Sequence, residues 1–226
     1  MNFKKAIFFL MVVVVPGLAT ADFQVNTYTT YNQRRPAVAV DNNGDFVVVW
    51  KSYGSNYGDS SSPSIQGQRY ASDGSFLGSQ FQVNNYTTNI QDSPKVAVES
   101  NGDFVVVWNS DGSNYGDVSG ESSQGQRFDS NGNFIDSQFQ INTYTTNNQK
   151  FPEVSMNDDR DFVVVWSSNG SAQTDTSSYS IQAKQFRFQT LNVPVLSSIF
   201  IIMLPVLLGA FGVFYLFIRK TGMPNN

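Results

Sequence analysis

The sequence predicts an all-β protein of three tandem four-stranded antiparallel units, propeller-blade-like or three-sheet prism-like, followed by one C-terminal transmembrane helix. Three observations carry this expectation. Segments reading FQ(V/I)N begin at Phe23, Phe81 and Phe139, each 58 residues after the last, and Trp50, Trp108 and Trp166 keep that spacing, as do Pro36, Pro94 and Pro152. Such regularity marks duplication of one structural unit. Phe and Tyr are plentiful, whereas helix-favouring runs of Ala, Leu, Glu and Lys are missing, a balance that favours strands and turns. Finally, the two ends are apolar and the middle is polar.

Each unit offers four strand candidates. Phe23 to Asn26 alternates apolar and polar, as a half-buried strand does. Pro36 to Val40 places Val38 and Val40 on one face and Ala37 and Ala39 on the other. Asn43-Gly44 then supplies the positive φ angles of a tight hairpin. Phe46 to Trp50 is apolar at every position, so both of its faces must be covered. Ile65 to Tyr70 is the fourth candidate, and the next FQVN segment pairs with it. The second unit repeats the order with Pro94–Val98, Phe104–Trp108 and Gln124–Phe128. The third does so with Pro152–Met156, Phe162–Trp166 and Ile181–Phe188. Four antiparallel strands per unit is the pattern of a propeller blade, but ordinary propellers have about four to eight blades. Three closures therefore stay open: a pseudo-threefold prism, a six-bladed ring made by two chains, or an open array.

The expected domains are a signal peptide over 1–21, a repeat domain over 22–192 (units 23–80, 81–138 and 139–189) and an anchor or sorting segment over 193–226. Lys4 and Lys5, an apolar run from Ala6 to Val15, the breakers Pro16-Gly17 and the small residues Ala19 and Ala21 read as a cleavable signal. Val195 to Ile218 carries no charge and would span roughly 36 Å as a helix, enough for a bilayer. Arg219-Lys220 follows it, so the repeats face away from the cytoplasm, at the cell surface or anchored to the membrane.

The tail Val193-Pro194-Val195-Leu196-Ser197, an apolar stretch and Arg219-Lys220 resemble bacterial C-terminal sorting signals of the exosortase type. The match to their Ile-Pro-Thr-Leu-Ser variant is at Pro, Leu and Ser. The Glu-Trp pair that commonly follows is lacking, and Thr221 to Asn226 extend past the basic pair. The repeat itself resembles units of large bacterial surface proteins, in which FVVVW, GQRY or GQRF and FQVNT recur in this order. That resemblance covers nearly all of Phe23 to Gln189 and implies surface exposure, with no activity attached.

Composition excludes several function classes. The chain has no Cys and no His, so disulfides, thiolate or imidazole metal sites and an ordinary catalytic triad are absent. The middle, Asp22 to Asn192, holds all 18 acidic residues against ten of the 14 basic ones, a net charge of −8. That argues against a nucleic-acid partner, which needs clustered Lys and Arg.

Two sets of residues are candidates for chemistry. Asp41, Asn43 and Asp45, with their counterparts Glu99, Asn101 and Asp103, present oxygens at the close spacing of calcium loops. The same pattern is that of a hairpin turn, and the third copy has Arg160 where Gly stands in the others. Calcium is the one cofactor the sequence offers. The second set lies in the loop after the FVVVW strand: Tyr53, Asn56, Tyr57 and Asp59, matched by Asn114, Tyr115 and Asp117. Tyr, Asn and Asp on Gly-Ser backbone can stack on sugars and hydrogen-bond their hydroxyls; a solvated loop has the same composition. Ser72-Asp73-Gly74-Ser75-Phe76 departs from the Asp-box of sialidase-type propellers in spacing and lacks its Trp. Arg69 and Arg127 recur, but Gln185 takes the third position. The expected function is therefore a non-catalytic adhesion, matrix or glycan-binding role without enzymatic activity, with a homodimer among the closures. The other reading is a secreted glycan hydrolase or its accessory domain.

Overall fold

The computed structural model describes residues 21–55, 63–113, 117, 119–171, 175 and 178–188. The signal segment, the Val195–Ile218 span and the sorting motif lie outside them. Among the described residues no helix is long and apolar enough to cross a membrane.

Eleven strands build three antiparallel sheets, each in chain order. The first sheet is β1 (Gln33–Val40), β2 (Phe46–Tyr53), β3 (Pro63–Tyr70) and β4 (Phe81–Gln82). The second is β5 (Gln91–Val98), β6 (Phe104–Asp111), β7 (Glu121–Phe128) and β8 (Phe139–Gln140). The third is β9 (Gln149–Met156), β10 (Phe162–Asn169) and β11 (Tyr179–Phe186), three strands among the described residues. The four-strand expectation thus holds for two units. The strand expected at Phe23–Asn26 is not laddered, because no strand precedes it in the described chain to pair with. The middle strands run three residues past the apolar FVVVW stretch, since ladder bonds between β2 and β3 continue through Lys51, Ser52 and Tyr53.

The continuous apolar strands sit where apolar-on-both-faces requires, between sheets. One core joins the first two sheets through Val47, Val49, Ile65, Phe104, Val106 and Trp108. A second joins the next two through Val105, Val107, Ile141, Phe162, Val164 and Trp166. A third lies on the outer face of the first sheet, where Val25 covers Val48, Trp50 and Tyr70. The innermost strands β1, β5 and β9 lie side by side. The arrangement is propeller-like, a stack of blades.

The short fourth strands depend on glycine. Phe81 lies opposite Gly67 across β3 and β4, and a Cβ on Gly67 would stand 2.6 Å from the ring carbon Cζ. Gly125 holds the ring of Phe139 at the same distance. In the third sheet the corresponding residue is Ala183, on a strand with no described fourth partner.

Every innermost strand is bulged at its start. Arg34 pairs with Lys51 and Ala37 with Val49, so Arg35 and Pro36 both oppose Trp50. The same slip occurs at Asp92/Lys95 on β5 and at the start of β9. A bulge is where a strand tolerates proline, which accounts for the repeated Pro36, Pro94 and Pro152.

Candidate functional site

The bulge forces a left-handed backbone on the residue before each proline. Arg35 has φ 57°, Ser93 φ 52° and Phe151 φ 56°. For non-glycine residues this conformation costs roughly 1–2 kcal/mol each, and it recurs in all three blades. Bulges of this kind re-aim side chains and cluster beside functional sites.

The re-aimed side chains meet between the first two blades. Arg35 Nη1 stands 2.6 Å from Asp92 Oδ2 and donates to Ser93 Oγ at 2.7 Å. Lys51 Nζ, nearly buried, reaches the same Asp92 oxygen at 3.1 Å, and the Ser93 N–H donates to Asp92 Oδ1. Between the second and third blades, Lys150 pairs with Glu121, and that hydrogen bond raises the lysine's pKa. Asn109 Oδ1 accepts the Phe151 N–H at 2.8 Å. Each joint is thus pinned at this end by a polar side chain from one blade engaging the bulge, or the residue before it, of the next.

One tyrosine per blade stands at this end. The hydroxyls of Tyr28, Tyr86 and Tyr144 lie against Gly54, Gly112 and Gly170, where a Cβ would stand 2.9–3.0 Å away. Those glycines end the middle strands with φ of 85°, 78° and 82°, angles that glycine adopts without penalty. Tyr31 is exposed nearby in chain order. This end therefore offers phenolic rings, cations and carboxylates together.

Of the loop residues singled out from sequence, Tyr53 ends β2, its ring 4.9 Å from Lys51 Nζ. Asn56, Tyr57, Asp59, Asn114 and Tyr115 lie outside the described residues. Asp117 is described and is 0% exposed. Its Oδ2 accepts from Asn142 Nδ2 at 2.9 Å and its Oδ1 from the Ser119 N–H at 3.3 Å; burial raises its pKa. It acts as a strut under the loop, with its oxygens turned to the protein.

The calcium candidates stand at the opposite end, in the hairpin turns. Asp41 Oδ1 accepts the N–H groups of Asn43 and Asp45, and Asn101 Oδ1 that of Asp103. Asp45 Oδ1 takes the Ser72 N–H and Asp103 Oδ1 that of Ser130, each at 2.9 Å, tying one turn to the next. Asp41, Asn43, Asp45 and Asn101 line a cleft between the first two blades, which Arg69 crosses to bond the Ser130 carbonyl. Arg127 pairs with Asp136 and lies 3.9 Å from the Phe188 ring. Glu99 is 3% exposed; burial, then repulsion from Asp103, raises its pKa, against the pull of Arg160. No group of three or more acidic side chains among the described residues is placed to hold a metal ion.

Arg35, Lys51, Asp92, Ser93, Lys150 and Glu121 belong to no motif that the sequence displays. The available signal was a charged residue two positions before each repeated proline: Arg34, Asp92 and Lys150.

No protein-family model matches the chain. No curated protein matches it either. Among solved structures it is similar to the Hadza microbial sialidase Hz136, at 12% identity over 67% of this chain and 34% of that one, TM-score 0.45. It is similar to a thermostable family-43 glycoside hydrolase, at 11% identity, 72% and 57% coverage and TM-score 0.45. A third is the endo-arabinase from Bacteroides thetaiotaomicron, at 11% identity, 74% and 59% coverage and TM-score 0.43. The chain spans about a third to three-fifths of those proteins' lengths. The likeness is one of fold, and no residue role is carried across from it. The expectation of a non-catalytic adhesion protein, and of no enzymatic activity, is corrected here: these structural neighbours are glycoside hydrolases.

Proposed function

We propose that the chain works in glycan hydrolysis, as the propeller part of an exported glycan hydrolase or as its accessory domain, with sugar engaged at the bulged ends of the innermost strands. The observation that carries this reading is the left-handed backbone at Arg35, Ser93 and Phe151, which gathers Arg35, Lys51 and Asp92 in one place. A strain repeated three times needs a return elsewhere. Sugar hydroxyls take paired donors and acceptors, which guanidinium, ammonium and carboxylate groups supply. The neighbouring tyrosine rings suit the apolar faces of a pyranose or furanose. Asp92, held by Arg35 and Lys51, is the carboxylate at this end that accepts hydrogen bonds from sugar hydroxyls. A cleavable signal and the C-terminal apolar segment would place this activity outside the cytoplasm.

The test is release of reducing ends from a panel of neutral and acidic polysaccharides by the purified chain. Activity on at least one glycan is expected, and Asp92→Asn should lower it by roughly 10-fold or more, the scale of a lost charge-assisted hydrogen bond. Circular dichroism checks that the variant is folded. Activity that survives Asp92→Asn unchanged would overturn this placement of the site; no release from any glycan leaves the accessory-domain form, and no release together with no binding to any glycan would overturn the reading.

A further inference from the structure

We infer that a second copy of this chain packs head-to-tail on both open ends of the blade stack, closing a six-bladed ring. The chain already makes the required joint twice. At the first, Ala39 and Val47 of one blade meet Val98 and Phe104 of the next; at the second, Ala97 and Val105 meet Met156 and Phe162, 58 residues on. The two unused halves of the same joint remain at the ends. On the first blade Val38 and Val40 are 64% and 61% exposed; on the third, Ile181 is 77% and Val165 37% exposed. Apolar surface of this kind is covered wherever the repeat recurs inside the chain.

The N-terminal segment points the same way. Phe23 and Val25 repeat Phe81 and Val83, and Phe23 packs on Tyr70 at 5.4 Å between ring centroids, as Phe81 packs on Phe128 at 5.4 Å. The Tyr70 hydroxyl donates to the Val25 carbonyl at 2.8 Å. Phe23–Asn26 therefore lies as a fourth strand would, with no third strand among the described residues to pair with, while β11 has no described fourth strand. Exchange between two copies satisfies both, and an unpaired edge is what a sheet exposes to another chain.

The polar ends fit as well. Lys51–Asp92 and Lys150–Glu121 cross the two internal joints. By the same register, the closing joint brings Arg34 and Arg35 against Phe151 and Tyr179, both exposed aromatic residues, so cations would lie over rings. Ala183 departs from the internal joints: its methyl group keeps Phe23 from the depth that Gly67 and Gly125 allow, which makes the closing joint looser than the internal ones. On the glycan reading, and resting on it, closure also brings the second copy's Asp92 to the same inner wall.

The experiment uses the full chain in detergent and does not depend on activity. Light scattering should give the mass of two chains. The chain has no cysteine, so Val40→Cys with Ser155→Cys supplies the only thiols. Oxidation of that double variant should yield one covalent dimer band on a denaturing gel, with each single variant running as one chain. Ala183→Gly should lower the dissociation constant severalfold. A monomer mass without cross-link, an internal disulfide within one chain, or a ladder of longer oligomers would each overturn the ring. Glycan cleavage by a proven monomer would sink closure and leave the glycan reading standing.

Discussion

Single positions carry more of this fold than their side-chain size suggests. At Gly125 the missing Cβ is the room in which Phe139 sits. Gly125→Ala forces that ring outward, and overpacking of this kind costs about 1–3 kcal/mol. Thermal unfolding should show the loss, whereas Ala183→Gly, with no described ring above it, should change monomer stability little. Glu99 makes a second residue-scale prediction. Its pKa is raised by burial and by Asp103 and Asp158, so the folded state holds its proton more tightly than the unfolded chain. Its contribution is therefore greatest below the unfolded pKa and is lost as pH rises through the raised folded value. Wild type should melt higher in mild acid than at neutral pH, and Glu99→Gln should flatten that slope and raise the neutral melting temperature. Asp117 shifts in the same direction and leaves some slope behind. A neutral melting temperature lower in the variant than in wild type contradicts this account. Below the ordinary carboxylate range the sign reverses, because Asp73 and Asp158 have lowered pKa values through bonds to Ser75 and Ser100.

Among the elements, the strands were the most legible. FVVVW is apolar at every position, which by itself names a strand covered on both faces, and Asn-Gly or Ser-Asp-Gly marks the turns. Strand ends were less legible, because Lys51-Ser52-Tyr53 and Pro63-Ser64 continue the ladder with polar side chains while hydrophobic pattern reports only burial. The bulge was invisible to pattern. A proline at strand start reads as an edge or a beginning, and only the pairing of Arg34 with Lys51 and Ala37 with Val49 shows two residues opposing Trp50. The same blindness hid the site. Asp92 meets Arg35 and Lys51, residues 57 and 41 positions away in the chain, and nothing in the local sequence announces that meeting. Conversely, the acidic turns looked chemical because close oxygens look alike whether they accept a backbone N–H or bind a cation; in Asp41, Asp45 and Asp103 an oxygen of each is given to the backbone.

At the scale of the whole molecule, the repeat determines the packing order. Blades bury their middle strands against a neighbouring blade, and the first also beneath Val25, so stability accumulates along the stack. The third blade departs from the first two at Ala183, at Gln185 in place of the recurring arginine, and at Arg160, whose φ of 68° stands where the others have glycine. It keeps Phe162, Val164 and Trp166 in the core, so the divergence spares the apolar middle strand. The central claim is that glycan chemistry belongs to the bulged ends of the innermost strands. Backbone NMR of residues 22–192, titrated with an oligosaccharide from the best-cleaved polysaccharide, tests this most directly. The account predicts shifts centred on Arg35, Lys51, Asp92 and Ser93; shifts centred on the turns at Asp41 and Asn101, or none at saturating sugar, would contradict it.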